Sequence, residues 1–111
     1  MTTLAGLADI ASLCCPGQNQ RGLFTESTVE SAVPISAGIY RVYAHDLRLL
    51  YVGQAHDLRE RLLYWRREKR LDMYTPWYFE YELCPASLLD PLEAAQILLL
   101  KPALNIQRPL G

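Results

Sequence analysis

Gly38-Ile39-Tyr40-Arg41-Val42-Tyr43, then Leu49-Leu50-Tyr51-Val52-Gly53-Gln54-Ala55, then His56-Asp57-Leu58-Arg59-Glu60-Arg61-Leu62: the fold turns on this stretch of the chain. Its first two runs are rich in the β-branched and aromatic residues that suit a pleated surface. The five residues Ala44 to Arg48 between them are few enough for a hairpin connection. The period then changes. Leu58, Leu62 and Trp65 recur at helical spacing, and Asp57 and Glu60 stand at capping-box separation, which predicts a helix from Asp57 to about Lys69. Farther on, Trp77 to Leu83 (WYFEYEL) alternates and reads as a third strand. Asp90-Pro91 opens a last helix through about Leu100, stopped by Pro102. Upstream, residues 2–13 (TTLAGLADIASL) place apolar side chains near helical spacing. Residues 14–36 carry no strong period and read as a connection. The expected fold is a small α/β domain over 37–108, a short and mainly antiparallel three-stranded sheet flanked by helices. Residues 1–36 are expected to form an N-terminal helix and connection.

With 111 residues, half of them hydrophobic and 21% charged, the chain has enough apolar mass for one folded core. Its longest apolar run, Ile97 to Leu100, is far short of the roughly 20 residues that span a bilayer, and no secretory signal pattern follows Met1. A cytoplasmic protein is expected, nucleoid-associated if bacterial. Cys14, Cys15 and Cys84 form no CxxC pair, which argues against a disulfide framework and a thiolate zinc site. Net charge is −1, but Arg59, Arg61, Arg66, Arg67, Lys69 and Arg70 face only Glu60 and Glu68 within one twelve-residue stretch. Local charge of this kind, rather than the total, sets affinity for a phosphate backbone.

Gly38-Ile39-Tyr40 and Tyr51-Val52-Gly53, eleven residues apart from tyrosine to tyrosine, resemble the two tripeptides that name the GIY-YIG nuclease superfamily. Tyr51 to Leu62 is similar to that family's second strand running into its arginine-bearing helix. Glu93 to Asn105 (EAAQILLLKPALN) is similar to its closing segment. Four elements in order, covering about Ala37 to Ile106, carry the resemblance; any one tripeptide would say little.

The resemblance implies a metal-dependent endonuclease that hydrolyses phosphodiester bonds in DNA. Tyr51 would act as the base, with Tyr40 positioning the water. A free tyrosine titrates near a pKa of about 10, so that role requires positive charge nearby. Arg61 would grip the phosphate with its planar fork. Glu93 would be the single protein ligand for one Mg²⁺ or Mn²⁺ ion, and Asn105 would orient Glu93 or the substrate. Substrate contact is expected from Gly53, Gln54, His56, Arg59, Tyr64, Arg66, Arg70 and Lys101. Arg59, Arg66 and Arg70 lie at i, i+7 and i+11, on one side of a helix. Many members of the family carry lysine where this chain has Gln54. DNA is the expected partner. Sequence choice would come from DNA shape, a homodimer partner or a separate DNA-targeting protein.

Plainer readings stand beside these. Strand tyrosines commonly pack, and Arg61 alone would read as a solvated helix residue. Asp90-Pro91-Leu92-Glu93 would be explained as a capping box with proline at the first helical position. The alternative function is a catalytically silent module of the same fold that binds nucleic acid or a protein. Leu4 to Asp9 is similar to the LAGLIDADG signature, but Ala11 stands where its metal-binding acid belongs.

Overall fold

A computed structural model of the chain describes residues 20–104. The helix expected over 2–13, the adjacent Cys14 and Cys15, and Asn105 lie outside the described residues. The elements run β1 (Gln20–Leu23), α1 (Glu26–Ala32), β2 (Gly38–Ala44), β3 (Leu49–Ala55), α2 (Leu58–Glu68), β4 (Pro76–Leu83) and α3 (Leu89–Leu100). Single 3₁₀ turns lie at Asp72–Tyr74 and Ala86–Leu88. The strands form one antiparallel sheet in the order β1-β4-β2-β3.

The expected three strands are therefore four, and the segment read as a connection holds both β1 and α1. The cause is tertiary. β1 has four residues with three exposed, so it shows no apolar alternation, and its hydrogen bonds come from pairing with the edge of β4. α1 spans seven residues and buries only Val29, too short to be stable alone. Thr25 caps it, its Oγ1 accepting from the Thr28 N–H at 3.2 Å. Val29 and Val33, one turn apart, enter the core.

Alternation along the strands makes two cores. Tyr40, Val42, Tyr51 and Phe79 point to the side of α1 and α2, where they meet Val29, Leu58, Leu62 and Trp65. Ile39, Val52 and Cys84 face α3 and meet Leu89 and Leu92. β2 is thus covered on both faces, and six of its seven residues are buried. A buried charge cluster sits inside the α3 layer. Arg41, across the sheet from Glu80, reaches Glu80 and Glu82 at 2.9 Å each and Gln96 at 2.8 Å.

The start of α2 matches the expectation: Asp57 is its N-cap, Oδ1 accepting from the Glu60 N–H at 2.9 Å. The start of α3 does not. That helix begins at Leu89 with Leu88 as N-cap and no side-chain cap, so Pro91 is its third residue. Proline is tolerated there because the N–H groups of the first turn have no helical partner. Asp90 is already inside the helix, and the capping-box explanation of Glu93 falls away.

Candidate active site

β3 is an edge strand of the sheet, and at its end, where the chain turns into α2, a cleft of about 300 Å³ opens. It is lined by Tyr40, Tyr51, Gln54, Ala55, His56, Arg61 and Glu93. These come from β2, β3, the β3–α2 turn, α2 and α3, the last of them 53 positions after the first.

The tyrosines are placed by strand register. Tyr40 pairs with Gly53 across the hairpin and Val42 with Tyr51, so both phenol rings stand on one face, with centroids 6.1 Å apart. Gly53 is required for space. A Cβ there would lie 2.4 Å from Tyr40 Oη and 2.5 Å from its Cζ, so the ring rests directly on the glycine backbone. From the other side, the Trp65 indole N–H donates to Tyr40 Oη at 2.7 Å. Tyr40 is 1% exposed. Burial, then the neighbouring Tyr51, push its phenol well above the usual range, against the Trp65 hydrogen bond and the Arg61 charge. Tyr40 is therefore a neutral, fixed hydroxyl and a poor base.

Tyr51 lines the cleft and lies against Trp65, with ring centroids 5.4 Å apart. Arg61 projects from α2 one turn before Trp65. Among the described residues it makes no ion pair or hydrogen bond, and it rests 5.8 Å above the Tyr64 ring. Glu93, half-buried in the first turns of α3, accepts from Gln54 Nε2 at 2.7 Å. The same nitrogen reaches Asp90 Oδ1 at 2.6 Å.

The other expected contact residues divide. His56 is exposed on the lip of the cleft, and Gly53 lies under Tyr40. Arg59 does not line the cleft; its Nε donates to the Val33 carbonyl at 2.7 Å and ties α2 to the end of α1. Arg66 donates to the Phe24 carbonyl at 3.1 Å, sits 4.8 Å over the Phe24 ring and pairs with Asp72. Arg70 lies over Trp65 and pairs with Glu68 at 3.5 Å, while Arg67 reaches Glu26 at 3.2 Å and Glu30 at 3.5 Å. Tyr64 and Lys101 are exposed and outside the cleft lining. The dense positive stretch on α2 is thus largely matched by carboxylates and carbonyls of its own fold, several of them brought by α1.

Two partners were not legible as site residues. Trp65 reads in sequence as one apolar helix position, yet its indole holds Tyr40; its place four residues after Arg61 was the available signal. Asp90 reads as a cap and instead shares the Gln54 amide.

A second hollow of about 360 Å³, on the α3 side of the sheet, is lined by Arg21, Tyr43, Leu47, Tyr78 and Glu80. Its acid and base groups are spent on one another. Tyr43 Oη donates to Glu80 at 2.8 Å, and its phenol is pushed up to about 12 by burial and that carboxylate. Burial opposes ionisation of Glu80, but hydrogen bonds and charge from Arg41, with help from Tyr43 and Arg21, hold its carboxyl below the usual range. The chemistry therefore points to the first cleft.

Scans against protein-family models, curated proteins and solved structures find no match to this chain. Among the described residues no helix is long and apolar enough to cross a membrane.

Proposed function

We propose that this chain is a GIY-YIG-type endonuclease that hydrolyses phosphodiester bonds in DNA with one bound Mg²⁺ or Mn²⁺. One observation carries the reading. Tyr40, Tyr51, Arg61 and Glu93, four of the five residues assigned chemistry by resemblance, line a single cleft although they come from four separate elements; the fifth, Asn105, lies outside the described residues. Packing roles alone would give no reason for an arginine without an ion pair among the described residues to face the same hollow as two phenols and a carboxylate.

The cleft's donor set fits the ion. Among the described residues no group of three or more His, Cys, Asp or Glu gathers, as a closed zinc site would require. Glu93, with Asp90 beside it, offers hard oxygen donors of the kind magnesium takes one or two at a time while keeping waters. Glu93 would hold the ion, which would supply positive charge to the phosphoryl group undergoing hydrolysis.

The protein's own residues do the rest. Arg61, which makes no ion pair or hydrogen bond among the described residues and rests over the Tyr64 ring, takes the phosphate oxygens. Tyr40, held by Trp65 and Gly53, presents a hydroxyl fixed in place to orient the attacking water. Tyr51, as its phenolate, accepts that water's proton and becomes the phenol while the water oxygen bonds to phosphorus. The phosphorus–oxygen bond on the far side breaks, and the leaving oxygen takes a proton from solvent. The Trp65 hydrogen bond and the Gly53 contact suit Tyr40 to positioning, and the resemblance gives the base role to Tyr51.

The test is cleavage of supercoiled plasmid and of a branched duplex with Mg²⁺, Mn²⁺ or EDTA, comparing wild type with Glu93→Gln. Expected is metal-dependent cutting that falls at least about a hundredfold in the variant. Cleavage that survives EDTA or Glu93→Gln overturns the mechanism. Binding of both substrates without cleavage by wild type supports the silent binding module instead.

A further inference from the structure

Gln54 stands where a lysine is common in the family that this chain resembles, and its contacts give the substitution a meaning. A primary amide nitrogen carries two N–H donors. Here Nε2 has two carboxylate neighbours, Asp90 Oδ1 at 2.6 Å and Glu93 Oε1 at 2.7 Å. Only the nitrogen can face two carboxylates, so these partners also fix which way the amide points. Turning the side chain would break both bonds at once. Gln54 belongs to edge strand β3 and the two acids to the first turns of α3, so the amide joins the two sides of the cleft. Among the described residues Glu93 Oε2 accepts no hydrogen bond.

We propose that Gln54 is the positioning residue for Glu93: an uncharged clamp that fixes one carboxylate oxygen, leaves the other for the divalent cation, and keeps the carboxylate's full negative charge. The proposal rests on the nuclease reading and deepens it. The lack of charge matters as much as the hydrogen bonds. An ammonium at the same point would form ion pairs with both Asp90 and Glu93 and compete with the incoming cation. An amide orients the carboxylates without neutralising them. Groups that orient a metal ligand through one hydrogen bond commonly alter cation affinity by 10- to 100-fold when removed. Asp90 serves as the far anchor, holding the second N–H so that the first stays aimed at Glu93.

The experiment is Mn²⁺ titration of the full chain, read from the electron paramagnetic resonance signal of the free ion, with a thermal melt of each variant. Glu93→Gln marks loss of the site. Gln54→Met keeps the length without the donors, and Gln54→Lys keeps a donor but adds charge. Expected are melting temperatures close to wild type for both Gln54 variants, an Mn²⁺ Kd raised about tenfold in Gln54→Met, and one raised further in Gln54→Lys. Wild-type affinity in both Gln54 variants, with binding lost only in Glu93→Gln, overturns the positioning role and leaves the nuclease reading standing. Equal binding by wild type and Glu93→Gln overturns that reading and the positioning role together.

Discussion

Replacing Gly53 by alanine tests whether Tyr40 is held as tightly as the geometry requires. The backbone at Gly53 is ordinary strand, so the constraint is space alone. The new methyl would stand 2.4 Å from Tyr40 Oη, 2.5 Å from Cζ and 2.9 Å from Cε2, against ordinary contacts of 3.4 Å or more. Tyr40 is 1% exposed, and Trp65 packs and hydrogen-bonds on its far side at 2.7 Å, so the ring cannot swing into solvent. It has to move by about an ångström and break its hydrogen bond. Overpacking of this kind costs about 1–3 kcal/mol. Leaving the buried indole N–H unpaired adds about 1–3 kcal/mol. The expected loss is about 2–6 kcal/mol, which at roughly 4 °C per kcal/mol lowers Tm by roughly 8–24 °C. The assay is thermal denaturation followed by circular dichroism. A second background isolates the cause: Tyr40→Leu lacks both atoms nearest the new methyl, so adding Gly53→Ala there should cost less than about 1 kcal/mol. A Tm within 2–3 °C of wild type for Gly53→Ala, or an equal drop in both backgrounds, refutes the reasoning.

Further outcomes follow from the charges. Arg66→Ala, which loses the Phe24 carbonyl, the Phe24 ring and Asp72 together, should destabilise the fold by about 1–3 kcal/mol by urea denaturation. Arg61→Ala should leave stability within about 0.5 kcal/mol while removing nuclease activity; the opposite pattern would mean their roles are exchanged. Glu80 has a folded-state pKa below its unfolded value of 4.5, so its stabilisation is fully present above pH 4.5 and is lost as pH falls through the folded value. Melts of wild type and Glu80→Gln should accordingly differ at pH 7 and draw together toward pH 3; a constant difference sinks that account. Tyr43 has the opposite sign. Its phenol is raised from 10.0 to about 12, so its contribution holds below pH 10 and fades as pH rises toward 12; Tyr43→Phe should flatten that alkaline decline.

What was legible came from local rules. The hairpin β2–β3, the helix after it with Asp57 as its cap, and the strand Trp77–Leu83 each carry their own period or capping signal, and each forms about where expected. β1 and α1 carry almost none, because a four-residue edge strand and a seven-residue helix are stabilised by neighbours rather than by their own pattern. The same absence misled the reading of charge. Without α1, Arg67 reads as a free cation; with it, Glu26 and Glu30 lie alongside.

The order of residues by itself determined which side chains share a strand face. Side-chain alternation put Tyr40 with Val42 on one face of β2 and Tyr51 with Gly53 on one face of β3, while the irregularity between Val42 and Tyr43 set the register that brings Gly53 opposite Tyr40. The α2 period likewise set Arg61 and Trp65 on one face of that helix. Only the tertiary structure decided that α3 enters early enough for Asp90 and Glu93 to meet Gln54, and that Arg59 and Arg66 turn inward while Arg61 faces the cleft with no ion pair among the described residues. The physical reason is range. Periodicity and capping act over a few residues, whereas the partner of a charged side chain is whichever group the packing of distant elements brings within 3 Å or so.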